Sequence, residues 1–266
     1  MTQTLTLCAT ARLAQTLRAT PPVAGQAVWQ PLAATTIANW LDALLEVACL
    51  SGQTPPQAQL SPLKERLLWE QVIAASLPAE AQPLFDTAGM AKTAAEAHAL
   101  CEHWQIGAAL RSQSLSLAEE TRLFLGWQRE FHKRCQQRGW AEGVRQQTQT
   151  LALIEAGELA LPDAITFAGF DRFTPFEQRL RQALAKRGVQ VSDAAPPEAA
   201  ANAARAIACA DRSAECAAAV RWAQQCLQQS PKARLGIVVP DLAGVRDALE
   251  FALDDALHPE ALAPAA

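Results

Sequence analysis

Residues 164–180 read AITFAGFDRFTPFEQRL: an apolar run, a small break at Ala168-Gly169, then Phe170–Thr174, and a helical pattern opened by Pro175. The run predicts a strand over Ala164–Ala168. Threonine before proline predicts a capped helix running from Pro175 to Lys186. Gly188 stops that helix, and Val189-Gln190-Val191 predicts the next strand. Strand, helix and strand in this order build a parallel sheet.

The first fifty residues repeat the alternation. QTLTLCA at 3–9 predicts a strand, Ala11–Arg18 a helix ended by Pro21-Pro22, and Gln26–Leu32 a second strand. Thr35 or Thr36 can cap a helix through Trp40, Leu41, Leu44, Leu45 and Ala48. The next hundred residues change character. After SGQTPPQAQLSP, helices are expected from Pro62, over Met90–Ala109, over Ala118–Arg138 and over Val144–Ala156, with no strand between them. An α/β sheet interrupted by an all-helical insertion follows. Beyond the linker-like DAAPPEAAANAA come expected strands at Arg205–Ala210 and Leu235–Val239. Expected helices lie at Ala214–Gln228 and through Val245, Leu249 and Leu253. A half-layer of this kind reads as the start of a further domain.

Composition narrows the function classes. With 23 Lys and Arg against 27 Asp and Glu, the net charge is −4 and the pI about 5.6. That excludes a strongly basic domain that coats nucleic acid, though not a local basic groove. The seven cysteines are odd in number and lack zinc-ligand spacing, so they are expected as reduced, packed thiols in the cytoplasm. No apolar run is long enough for a membrane span, and the N-terminus lacks the layout of a secretory signal.

In nucleotide-hydrolysing α/β proteins, a strand such as 164–168 ends in carboxylates that hold magnesium and position water. Here those slots hold Ala168 and Gly169. A phosphate loop belongs after the first strand, where the chain reads Cys8-Ala9-Thr10-Ala11-Arg12-Leu13, without glycine or lysine. The nearest match elsewhere, Gly89-Met90-Ala91-Lys92-Thr93, has no strand leading into it. Asp171 reads as a turn or cap residue. His98 and His103 do not share a helix face, and His132 and His258 stand alone. No catalytic residue, metal ligand or cofactor site is expected. Residues 124–143 interleave Trp127, Phe131 and Trp140 with Arg129, Lys133, Arg134 and Arg138. That pattern fits contact with nucleic acid, and equally a helix with one core face and solvated bases.

Three stretches together resemble the helicase-like subunits of bacterial double-strand-break repair nucleases, the AddB/RecC type. The resemblance is stronger to probable DNA repair proteins in which an AddB-like half precedes a PD-(D/E)XK exonuclease. The stretches are ATARLAQTLR at 9–18, FAGFDRFTPFEQRLRQAL at 167–184 and ECAAAVRWAQQCLQQSPKARLGIVVPDLAGVRDALE at 215–250. The resemblance implies a RecA-like, P-loop NTPase-like domain of the superfamily 1 helicase type at 1–54 and 160–202. It implies an inserted helical subdomain at 55–159 and the beginning of a second, truncated RecA-like domain at 203–266. Thr10, Ala11 and Arg12 then mark a degenerate phosphate loop, and Ala168 and Gly169 a degenerate Walker B position. The expected role is a cytoplasmic, non-catalytic module of recombination and DNA repair that guides single- or double-stranded DNA ends, beside a partner helicase-nuclease. Arg12, Arg18, Arg129, Lys133, Arg134 and Arg138 are the expected DNA contacts. A helicase motor with an atypical phosphate site and a pure protein-interaction domain are the alternatives.

Overall fold

The computed structural model describes residues 4–21, 28–55, 58–78, 85–112, 117–195 and 206–257. The chain divides into two compact units, 1–197 and 198–266.

The first unit is built on a fully parallel four-stranded sheet. Its strands are β1 (Thr4–Cys8), β2 (Ala34–Thr36), β5 (Ala164–Ala168) and β6 (Gln190–Asp193), in the order β2-β1-β5-β6. Leu7 pairs with Phe167 and Cys8 with Ala168 at the centre. The strand period of two sends alternate residues to opposite faces. Leu7, Ile165 and Phe167 enter one core, while Cys8, Ala34 and Ala168 enter another. Both faces are therefore covered, as a parallel sheet requires.

The first core is closed by α2 (Ile37–Leu50), α7 (Gly143–Ala156) and α8 (Pro175–Lys186). The second is closed by α1 (Ala11–Ala19) through Leu13, Ala14 and Leu17. Thr36 caps α2, accepting a hydrogen bond from the Asn39 amide. Strand β2 therefore abuts that helix, later than the expected Gln26–Leu32. Residues 26 and 27 lie outside the described residues, and Val28–Leu32 forms no strand. What holds β2 in the sheet is its ladder from Thr6↔Ala34 to Cys8↔Thr36, not a hydrophobic run of its own.

Helix α8 starts where the sequence predicts. Thr174 Oγ1 accepts from the Glu177 amide, and Glu177 Oε2 accepts from the Thr174 amide at 2.7 Å, a reciprocal capping box ahead of Pro175. Asp171 is exposed in the preceding turn and takes no part in this cap.

Between α2 and α7 lies the helical insertion: α3 (Pro62–Ser76), α4 (Thr87–His103), α5 (Gly107–Ser112) and α6 (Glu119–Arg138). It has its own core, centred on Trp69 stacked on Phe131 with ring centroids 4.2 Å apart. The expected helix over Met90–Ala109 is broken after His103. Gln105 adopts φ 54°, the Gln105 amide donates to the Glu102 carbonyl, and the Ile106 amide donates to that of Cys101. This is a Schellman closure with glutamine in the left-handed position. The insertion is also not purely helical. Two-residue strands β3 (Ala58–Gln59) and β4 (Trp140–Ala141) pair in parallel.

In the second unit, α9 (Arg212–Gln229) and α10 (Arg246–Leu257) pack through Cys216, Val220 and Leu249. Residues 206–210 and 235–239 form no strand, and Arg205 lies outside the described residues. A strand exists only through a partner ladder. Here Ile237 and Val239 instead pack on the helix pair, and Val238 between them is exposed.

Candidate functional site

In an open parallel sheet, ligands bind in the crevice beyond the strand ends where the chain's direction of travel across the sheet reverses. In this unit the reversal lies between β1 and β5. The crevice is bounded by Cys8-Ala9-Thr10 on one side and Ala168-Gly169 on the other, with the N-terminus of α1 above. Such a helix end favours an anion when its amides are free and its approach is open.

Both conditions are compromised. Thr10 Oγ1 accepts from the Leu13 amide at 3.2 Å, and the Thr10 carbonyl accepts from Ala14. The Ala9 amide extends the sheet by donating to the Ala168 carbonyl. Leu13 lies over Gly169: a methyl built on that glycine would stand 2.6 Å from Leu13 Cδ2 and 3.8 Å from Ala9 Cβ. Ala168 is buried, and Gly169 turns the chain away at φ 76°. The centre of the crevice thus presents alkyl groups where a polyphosphate and its metal would need amides and carboxylates. Burial raises the Cys8 thiol, with Arg18 pulling the other way.

The Gly89–Thr93 stretch is the first part of α4. The Asp86 carboxylate accepts from the Gly89 amide at 2.9 Å, so a carboxylate already holds the position an anion would need.

Arg12 and Arg18 are exposed on α1. The other candidate bases lie on α6, and most are engaged. Lys133 and Arg134 share Glu130, at 3.6 and 3.0 Å. Those two bases, the hydrogen-bonding Arg134 first among them, hold the Glu130 carboxyl below its ordinary range. Arg138 lies over the Trp140 ring at 4.7 Å. Arg129 is exposed and bonds back to the Leu125 carbonyl. The half-buried Trp127 donates Nε1–H to Ser76 Oγ at 2.8 Å. Phe131 is fully buried.

Two grooves among the described residues are not basic. One of about 830 Å³ between α2 and α7 is lined by Asp42 and Glu46 with Gln59, Gln146 and Gln149. Burial raises the Asp42 carboxyl. A second, of about 570 Å³ beside α3 and α6, sets Arg122 and Arg134 against Glu119 and Glu130.

Spacing in the sequence missed one constellation. His98 on α4, His132 on α6 and Glu142 at the start of α7 bring one ligand atom each within 4.8 Å of one another. His98 Nε2 is 3.4 Å from Glu142 Oε1, and His132 Nε2 is 3.7 Å from the same oxygen. Burial would raise Glu142, but His98, the residue's own backbone N–H and His132 outweigh it and hold the carboxyl below its usual value. Burial and the neighbouring His98 lower His132. Three separate elements supply the three groups, so no local motif announces them.

A scan against known family models finds no match for this chain, and comparison with curated proteins finds no relative.

Proposed function

We propose that the chain is a non-catalytic, helicase-like module of a DNA-end-processing machine, in which a RecA-like sheet survives as scaffold and its nucleotide site does not. The filled crevice carries this reading. An all-parallel sheet with a helical insertion retains the switch point at which such folds seat a ligand. Leu13, Ala9 and Ala168 occupy its centre with alkyl groups, and no carboxylate ends β5. The chemistry of turnover then falls to a partner motor or to a nuclease domain of the PD-(D/E)XK type. This module contributes backbone contacts to DNA through the exposed faces of α1 and α6.

Two measurements test it. Titration calorimetry with ATP and magnesium is expected to show no binding; micromolar binding would favour the motor alternative. Fluorescence anisotropy with labelled DNA ends is expected to show binding that weakens steeply with salt. Glu130→Gln releases Lys133 and Arg134 and is expected to tighten that binding several-fold, roughly as one added phosphate contact would. Absence of DNA binding at low salt, with Glu130→Gln equally inert, refutes the DNA role.

One acidic groove and one of mixed charge favour a second reading, a protein-interaction domain. It predicts that same inert result.

A further inference from the structure

We propose that His98, His132 and Glu142 form a binding site for a single divalent transition metal, zinc by the chemistry of the donor set, which fastens the helical insertion to the start of α7.

All three ligand atoms lie within 4.8 Å of one another, and the two edges that meet at Glu142 fit a ligand shell. Ligands at about 2.0–2.1 Å around a tetrahedral ion stand roughly 3.3 Å apart. The 3.4 and 3.7 Å separations from Glu142 Oε1 to the two imidazole nitrogens are close to that edge length. On side chains that are each only 1% exposed, His98 Nε2 makes no hydrogen bond beyond its 3.4 Å approach to Glu142 Oε1, and Glu142 Oε2 has no partner. Buried polar groups left without a full partner are destabilising. A shared cation satisfies both at once.

The surroundings fit as well. Gln128, one turn before His132 on α6, bonds His98 Nδ1 at 3.0 Å. Gln128 Nε2–H faces that nitrogen and donates to it, which leaves the imidazole proton on Nε2; metal binding requires the Gln128 amide to turn over, so that its oxygen accepts from Nδ1–H and the Nε2 lone pair is freed. Trp69 and Phe131 wall the site against solvent. His132 is 30% exposed and gives the ion a way in. Two imidazoles and one carboxylate suit zinc better than magnesium or calcium, which prefer oxygen donors. The fourth position falls to water.

The test uses the full chain, stripped with EDTA and titrated with zinc against a chromophoric chelator. Cobalt(II) serves as the spectroscopic probe. One equivalent is expected to bind with submicromolar Kd, and cobalt to give visible bands of four-coordinate nitrogen and oxygen ligation. His132→Ala is expected to weaken binding at least tenfold while the metal-free protein keeps its helical circular dichroism. Glu142→Gln should do the same, and His103→Ala should change nothing. Three results overturn the site: uptake below a tenth of an equivalent, equal uptake by wild type, His132→Ala and Glu142→Gln, or an intense thiolate-to-cobalt band marking cysteines as ligands.

Discussion

Gly169→Ala is the sharpest probe of the filled crevice, because its cost has two separable parts. At φ 76° a side chain carries the left-handed backbone penalty, about 1–2 kcal/mol. The new methyl also meets Leu13 Cδ2 at 2.6 Å, well inside the 3.5–4.0 Å optimum, and such overpacking costs about 1–3 kcal/mol. The single substitution should therefore destabilise the protein by about 2–5 kcal/mol. Leu13→Ala alone removes a half-buried side chain and should cost about 1–2 kcal/mol, below the range for a fully buried leucine. In the double variant the steric part vanishes, so the two losses should fall short of additivity by about 1–3 kcal/mol. Urea unfolding followed by tryptophan fluorescence measures all four corners of the cycle. Losses that add to within about 0.5 kcal/mol would mean that Leu13 does not occupy the space above Gly169, and the filled crevice would fall with it.

Thr174→Ala removes the capping box of α8 and should lower stability by about 1 kcal/mol, while Thr174→Ser retains most of it in the same urea experiment. Iodoacetamide at pH 7 should alkylate the exposed Cys209 first and leave Cys135 untouched until the protein unfolds. Burial pushes the Cys135 thiol up to about 12, a thiolate fraction of roughly one in 10⁵. Equal labelling of the two in mass spectra would contradict the packing of α6. Arg179 binds Glu155 through two hydrogen bonds, at 2.7 and 2.6 Å, and holds its carboxyl below the ordinary value. Because the folded value is the lower one, this contribution is complete above the unfolded carboxylate range and disappears as pH falls through the depressed value. The pair is partly exposed, so Glu155→Gln should cost no more than about 0.5 kcal/mol at pH 7 and nothing at pH 2.

The elements legible in the sequence are those whose signals are local. Thr174-Pro175 with Glu177 fixes the start of α8, the apolar run fixes β5, and Gly139 in the left-handed region closes α6 one residue past Arg138. What escaped depends on distant partners. β2 is a strand because β1 lies beside it, and β3 and β4 are too short to show a pattern. Residues 235–239 have the alternation of a strand without a neighbour to pair with. The crevice was half legible: the missing glycine, lysine and carboxylates could be read directly, but the leucine filling it could not. Glu130, which occupies Lys133 and Arg134, sits in full view three and four residues away, yet the bases alone drew attention. The histidine–glutamate trio was invisible because each member comes from a different element.

The β3–β4 ladder has a consequence for how this architecture could change. Adjacent strands stand about 4.8 Å apart, so the polypeptide leaves the sheet-bearing body and rejoins it at nearly one point. A joint of a few small residues in place of the segment between Ala58 and Ala141 would detach the helical body without stretching the chain. The strip so bared includes Glu142, whose carboxylate now faces His98 and His132, and Gln147 and Phe176, which His103 touches. The four sheet strands themselves all lie outside residues 58–141, so what losing that segment would cost falls on α7 and α8 and not on the sheet's own ladder.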